Sequence, residues 1–213
     1  FLLMLQEPTD TALKIKLEDP QPSLGRLRTA AELIWDASVQ SGLNPQVIVV
    51  KLNKEQGLIT SSASLSGDSL QRALNFSLGF GCPDGGGCSG IFKGFYSQVF
   101  GNVDAEGNRY LGAAKSLMKS YSTPGGRGPN NSKVGDVLTI ENTMGEPNNA
   151  PASQIVTLSN RATAALYRYT PHVFNGNYNF WRFFQAWFKY PNGTIFAVNG
   201  ALDAYIVQNG SKQ

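Results

Sequence analysis

Apolar positions recur at helical spacing in a succession of short stretches, each bounded by a capping residue or a glycine. Thr29 precedes AAELIWDASVQ, in which Leu33, Ile34 and Ala37 share one face, so a helix capped by Thr29 is expected there. Asn44 and Pro45 open a second stretch, where Ile48, Leu52 and Glu55 follow at i, i+4 and i+7. Proline suits a first helical turn and asparagine can cap its free amides. Asp68 heads SLQRALNFSL, with Leu70, Ala73, Leu74 and Ser77 at helical spacing, and GFGCPDGGGCSG breaks the pattern. IFKGFYSQVFG puts Phe92, Phe95, Tyr96 and Val99 on one stripe, and RYLGAAKSLMKSY does the same with Leu111, Ala114, Leu117 and Met118. Ser159 or Asn160 opens RATAALYRY, and Asn177 opens NFWRFFQAWF.

Strand signals are fewer. TALKIKLE alternates enough for a short strand or extended arm inside residues 1–28, which otherwise read as a lead-in linker. The polar stretch 122–152 is expected to carry no more than a loose hairpin built around DVLTI and QIVTL. After Phe188 the composition shifts, and YPNGTIFAVNG and LDAYIVQNGSK read as two short strands, each ended by an Asn-Gly turn. The expected organisation is therefore an arm (1–28), a mainly α, α+β body (29–188) and a small β-hairpin appendage or start of a β repeat (189–213).

The 213 residues, 41% of them hydrophobic, suffice for one core and a small appendage. Charge is sparse at 15% and the net charge of +3 is mild. No clustered basic face marks a nucleic-acid partner. Cys82 and Cys88 enclose Pro83, Asp84 and three glycines. With no His or further Cys nearby to complete a ligand set, zinc is not expected, and neither a metal nor a cofactor is called for. The pair reads as a disulfide clamp, which implies an extracytoplasmic, secreted or cell-surface compartment; two free thiols are the alternative. FLLMLQEP is too short to span a bilayer, and no apolar run of about 20 residues occurs elsewhere.

Glu55 is the acid on the apolar stripe of the second stretch. Burial disfavours a charged carboxylate, so a raised pKa and a protonated acid near neutral pH are expected of it. The competing reading pairs Glu55 with Lys51 one turn back. His172, the single histidine, reads as a loop residue, and no Ser–His–Asp or Cys–His set accompanies it.

The stretch from Asn44-Pro45 to Ser64 resembles the active-site helix of the lytic transglycosylase and goose-type lysozyme superfamily, which reads roughly NP, apolar helix, E-S-x-F, then A-x-S. Glu55 falls on the catalytic Glu, Leu58 on the aromatic three residues later and Ser64 on the serine nine later. Gln56 stands in place of the usual Ser, and Ser62 where Ala is common. KEQGLIT, GFGCPDGG and ATAALYRYTPH together are similar to a lysozyme-like family of bacterial cell-surface proteins, over residues 29–188. AALYRYTP resembles the superfamily's A-A-Y-N-A-G-P, which puts Tyr167 on the active-site tyrosine and Pro171 on the proline, while Arg168, Tyr169 and Thr170 depart from it. GFYSQ resembles G-L-M-Q with one extra residue, which makes Gln98 a substrate-binding candidate.

The resemblance implies a lysozyme-like fold and cleavage of the MurNAc–GlcNAc β-1,4 bond of peptidoglycan glycan strands. Glu55 is the implied general acid and then base, and Ser64, Gln98, Tyr167 and Tyr169 are the implied substrate-binding residues. Hydrolysis needs a second carboxylate; Asp68, Asp84 and Asp104 all sit in turns with no motif around them, although Asp84 in the clamped loop has the reach. Their lack of context favours the transglycosylase route, in which the sugar's own 6-hydroxyl attacks. The alternatives are a non-catalytic cell-wall-binding or adhesion module on the same fold and, further off, a structural subunit of a surface appendage or phage particle. The helical aromatics Phe180, Phe183, Phe184 and Trp187 read as packing, with Tyr178 or Trp181 available to a sugar subsite.

Overall fold

The computed structural model describes residues 16–18, 27–123, 132–142, 150–190, 192–197, 204–208 and 211–212. Helices dominate the body, and the strands form small antiparallel sheets around it. Strand β1 (Lys16–Glu18) pairs with β2 (Leu27–Thr29), which runs straight into helix α1 (Ala30–Ser41). Thr29 caps α1 as expected: its Oγ1 accepts from the Glu32 amide at 3.2 Å, and Glu32 Oε2 accepts from the Thr29 amide at 2.7 Å. Each satisfies an amide that the first turn leaves without a helical partner.

Helix α2 (Pro45–Gln56) follows after three residues, capped by Asn44 Oδ1, which accepts from the Gln46 amide at 2.9 Å. Ile48, Val50, Lys51, Leu52 and Asn53 are all buried, so α2 is enclosed on more than one face and packs against both α1 and the last helix. Asn53 Oδ1 accepts from the Thr60 amide and hydroxyl at 2.9 and 3.0 Å, tying the turn after α2 back onto it.

The remaining helices are α3 (Gly67–Asn75), α4 (Phe95–Phe100), α5 (Ala113–Ser122), α6 (Arg161–Tyr169) and α7 (Asn179–Phe188). Leu33, Ile34 and Ala37 from α1 meet Ile48 and Leu52 from α2, Ala73 from α3, Val99 from α4 and Leu117 from α5 in the main core. A smaller cluster, Leu158, Ala164 and Tyr167 with Leu138, Ile140 and Val156 against them, lies under a hairpin of β5 (Val137–Glu141) and β6 (Ser153–Thr157). That hairpin is the DVLTI–QIVTL pair, with Thr139 opposite Ile155. Strands β7 (Ile195–Ala197), β8 (Ala204–Gln208) and β9 (Ser211–Lys212) form the C-terminal sheet. The two Asn-Gly turns at 199–200 and 209–210, and most of the 1–28 arm, lie outside the described residues.

Two expectations need correction. The stripes read as helices over IFKGFYSQVFG and RYLGAAKSLMKSY are interrupted by a hairpin of β3 (Gly101–Val103) and β4 (Arg109–Leu111). Gly101, at φ +97°, and Gly112 allow it, because a Cβ on Gly101 would sit 1.9 Å from the Tyr110 carbonyl oxygen and one on Gly112 2.3 Å from the Gly101 nitrogen. Asn177 does not cap α7. A π-turn (Val173–Tyr178) intervenes, and Asn177 Nδ2 donates back to the Thr170 carbonyl at 2.8 Å.

Gly101→Ala combines a left-handed backbone with a backbone clash and is expected to destabilise the fold by about 3 kcal/mol. Urea denaturation checks this against Gly107→Ala, where the added methyl has open space and only the positive φ to contend with.

Candidate functional site

Glu55 lies in the last turn of α2, and the structure brings two lysines onto it. Lys51 Nζ donates to Glu55 Oε1 at 2.7 Å, and Lys54 Nζ approaches the same oxygen at 2.8 Å. Both lysine side chains are nearly inaccessible (2% and 4% exposed), while the Glu55 side chain keeps 19% of its surface. The lysines are further steadied by Thr170 Oγ1, 3.5 Å from Lys51 Nζ and 3.3 Å from Lys54 Nζ. Lys51 Nζ also stands 3.7 Å from the centre of the Tyr169 ring, a cation–π contact.

This arrangement overturns the expectation of a raised pKa at Glu55. Burial does push the carboxyl up, but the charges of Lys51 and Lys54 and their hydrogen bonds outweigh it, and the pKa falls below the ordinary 4.5. The group is ionised at neutral pH. The pairing of Glu55 with Lys51 is therefore present, with Lys54 added. Burial acts on Lys51 in the same sense as it acts on any charge, and its pKa drops to about 8 despite Glu55.

The free side of the carboxylate faces a cavity of about 650 Å³. Glu55 Oε2 accepts no hydrogen bond from the described residues and lies opposite Gly79, where a Cβ would come within 3.0 Å of it. Gly79 (φ +62°) thus provides both the turn and the clearance. The segment after it carries the disulfide between Cys82 and Cys88, and Cys82, Pro83, Asp84 and Gly85 form one wall. Arg168, Tyr169, Thr170, Pro171, His172 and Asn175 form the other. At the rim His172 Nε2 meets Asp84 Oδ2 at 2.9 Å, joining the walls.

Of the catalytic and binding candidates read in sequence, Glu55, Tyr169, Asp84 and the motif proline Pro171 line this cavity; Ser64, Gln98 and Tyr167 do not. Ser64 is exposed in a short 3-10 turn and donates to the Ser61 carbonyl at 2.6 Å. Gln98 is fully buried, and all of its hydrogen-bonding capacity is spent on backbone. Its Oε1 accepts from Leu78 and Phe80 at 3.1 and 2.9 Å, and its Nε2 donates to the Phe80 and Phe92 carbonyls at 2.8 and 2.9 Å. It holds the backbone on either side of Gly79 and has nothing left for a ligand. Tyr167 belongs to the smaller core cluster. Residues two apart on a helix point to nearly opposite sides, so Tyr169 is the tyrosine of α6 that reaches Glu55. Its hydroxyl donates to the Leu78 carbonyl at 2.8 Å, and burial, then the Glu55 charge, raises its pKa well above 10.0.

Lys54, Thr170, Gly79 and the Asp84–His172 contact escaped the sequence reading. Adjacent side chains on a helix diverge by about 100°, so nothing in a Lys-Glu dipeptide announces an ion pair. The disulfide, by contrast, was legible as a Cys pair in a glycine-rich loop, and no thiol is left free. No helix among the described residues is long and apolar enough to cross a membrane. Comparison with known proteins gives no match: no family model, no curated protein and no solved structure matches the chain.

Glu55→Gln removes the counter-charge from two buried ammonium groups and is expected to cost on the order of 3 kcal/mol of stability. Lys51→Met/Glu55→Gln should restore most of it, since the remaining lysine borders the cavity and Thr170; urea titration of both variants checks the difference. The pH dependence has a definite sign. Lys51 binds its proton less tightly folded (about 8) than unfolded (10.5), so its contribution to stability rises as pH climbs from about 8 toward 10.5. Thermal melts across that window should show the rise in the parent chain and lack it in Lys51→Met. The Glu55 contribution has the same sign in a lower window: it is complete above 4.5 and is lost as pH falls through the lower folded value.

Proposed function

We propose that this chain is a lysozyme-like domain that cleaves the MurNAc–GlcNAc β-1,4 bond of peptidoglycan outside the cytoplasm, with Glu55 as the residue that moves the proton. One observation carries the reading: a carboxylate on a capped, buried helix presents one unbonded oxygen to a cavity large enough for a sugar. The resemblance of the segment around it to the active-site helix of lytic transglycosylases and goose-type lysozymes supplies the substrate class. The disulfide is compatible with an extracytoplasmic setting.

In the transglycosylase scheme protonated Glu55 gives its proton to the leaving O4 as the C1–O4 bond breaks. The carboxylate then takes the proton of the sugar's 6-hydroxyl as O6 bonds to C1, which yields a 1,6-anhydro end with no water consumed. The second half suits the ionised Glu55; the first half requires a proton that two lysines oppose. The chemistry is therefore expected at acidic pH. Asp84, on the wall of the same cavity, is the carboxylate on hand for hydrolysis, in which a water would lose its proton to it and a reducing end would form.

The ion pairs also favour a second reading, a wall-binding module that has lost activity, because Lys51 and Lys54 depress the acid the cleavage needs. Digestion of purified sacculi between pH 4 and pH 8, with mass spectrometry of released fragments, separates the readings. Cleavage predicts soluble muropeptides whose rate of release rises as pH falls below 7. Lys54→Met should move the alkaline limb of that profile up by about one pH unit, and Lys51→Met/Glu55→Gln should release nothing. Anhydro ends identify the transglycosylase and reducing ends the hydrolase. Co-sedimentation with sacculi and no release at any pH would establish the binding module instead.

A further inference from the structure

A second cavity, of about 340 Å³, borders the one at Glu55 but is lined by neither Glu55 nor Asp84. Phe80, Pro83 and Leu117 give it an apolar wall, and Phe80 is held there edge-on to Phe92, with ring centres 4.8 Å apart. The charge in its lining is Arg168, only 6% exposed, which forms no ion pair with any described carboxylate. Its bonds all go to neutral groups. Nε donates to the Ser132 carbonyl, and Nη1 donates to the Ser120 carbonyl at 2.6 Å, to Ser120 Oγ at 3.1 Å and to the Thr123 carbonyl at 3.4 Å. The Ser120 and Thr123 carbonyls belong to the end of α5, whose dipole offsets only part of a full charge. Nη2 donates to nothing among the described residues, yet the sealed and unsatisfied polar atoms there are Arg28 Nε and Ser77 Oγ, so Nη2 keeps an opening. Arg168 stands where the motif that AALYRYTP resembles has asparagine, so the guanidinium is a departure of this chain. Two hydroxyls complete the lining: Ser116 makes no hydrogen bond among the described residues, and Ser120, an acceptor from Arg168, keeps its own proton.

A buried cation without a counter-charge is costly, and an anionic ligand relieves that cost. The free side-chain donors of this cavity are one guanidinium nitrogen and two hydroxyls, all of which call for an acceptor, while the apolar wall has nothing to offer a second charge. We propose that the cavity binds a small monocarboxylate with a compact apolar body. The carboxylate takes Arg168 Nη2 and the Ser116 and Ser120 hydroxyls, and the body lies against Phe80, Pro83 and Leu117. The volume is at the small end of ligand pockets, which limits the body to a short branched chain or a single ring. A dianion of that size leaves one charge against Phe80 and Leu117 and is rejected. The neutral amide of the same acid keeps the wall contacts and loses the charge-assisted bond. This site is independent of the glycan reading of the Glu55 cavity and stands or falls without it.

The test is an NMR titration of the whole chain with three probes: 4-methylpentanoate, its neutral amide 4-methylpentanamide, and acetate, which has the charge without the apolar body. The first should bind about tenfold or more tightly than either of the others, since each lacks one half of the recognition. Its methyl groups should show contacts to the Phe80 ring and the Leu117 methyls, and the Arg168 guanidinium signals should shift. Ser116→Asp, which supplies a carboxylate from the chain itself, should abolish binding, whereas Ser116→Asn, of the same size and uncharged, should keep it. The probe comparison uses the unaltered chain and does not depend on how well a variant folds. Equal affinity for the acid and its amide, or binding undiminished in a folded Ser116→Asp variant, would overturn the proposal. So would shifts confined to Lys54, Glu55 and His172, which place the anion in the neighbouring cavity.

Discussion

The Lys51–Glu55–Lys54 cluster is the constraint around which this end of the molecule is arranged. Two ammonium groups and one carboxylate occupy the last turns of a helix that is otherwise packed into the core, with Lys51 only 2% exposed. A buried ion pair adds little net stability, but removing one partner is costly. The surroundings therefore have to serve the charges. Thr170 gives both lysines a hydroxyl, the Tyr169 ring offers Lys51 its π face, and Gly79 leaves the outer carboxylate oxygen open. Tyr169 and Thr170 are neighbours at the end of α6 and Gly79 lies in the loop after α3, so two distant parts of the chain meet at the cluster.

The wall facing Glu55 is irregular backbone from Phe76 to Gly94, and irregular backbone near a core must find partners for its amides and carbonyls. Side chains supply them. Gln98 takes four bonds around Leu78, Phe80 and Phe92, Gln56 donates to the Phe76 carbonyl at 3.2 Å, and Tyr169 closes on Leu78. The disulfide shortens what remains to a six-residue separation, and the Gly94 amide returns to the Asn75 carbonyl at 2.9 Å. A cavity wall built from a loop is thereby as fixed as one built from helices, which a binding site on a loop requires.

How much of this the sequence disclosed depends on whether the governing interaction was local. The caps at Thr29, Asn44 and Asn160 and the apolar stripe of α1 are set within a turn or two, and they stand where the pattern put them. The β3–β4 hairpin did not show, because its cause is a close approach of Gly101 and Gly112 across the chain and not a propensity of either strand. At the site, Glu55 was legible as an acid on a buried stripe, but its charge state was not: burial was visible from spacing, while the opposing effect of Lys54 depends on the fold. Gln98 and Tyr167 were misplaced for a related reason. A motif carries residue types and order, and it does not say whether a glutamine's amide is spent on backbone or which side of a helix a tyrosine occupies.

The ionised state of Glu55 bears on how a ligand would act on the site under the proposed reading. Lys54 is the lysine that lines the cavity, whereas Lys51 is sealed beneath Tyr169 and Glu55. A sugar that settles against the carboxylate displaces water from it, which disfavours the charge, and offers Lys54 other acceptors, which loosens the pair. Both changes raise the affinity of Glu55 for a proton. Lys51, beyond the ligand's reach, keeps the carboxylate from straying far from the ionised state needed once the proton has gone. Two lysines on one oxygen are then two different controls, one that substrate can move and one that it cannot, and the division follows from which of them has the cavity at its side.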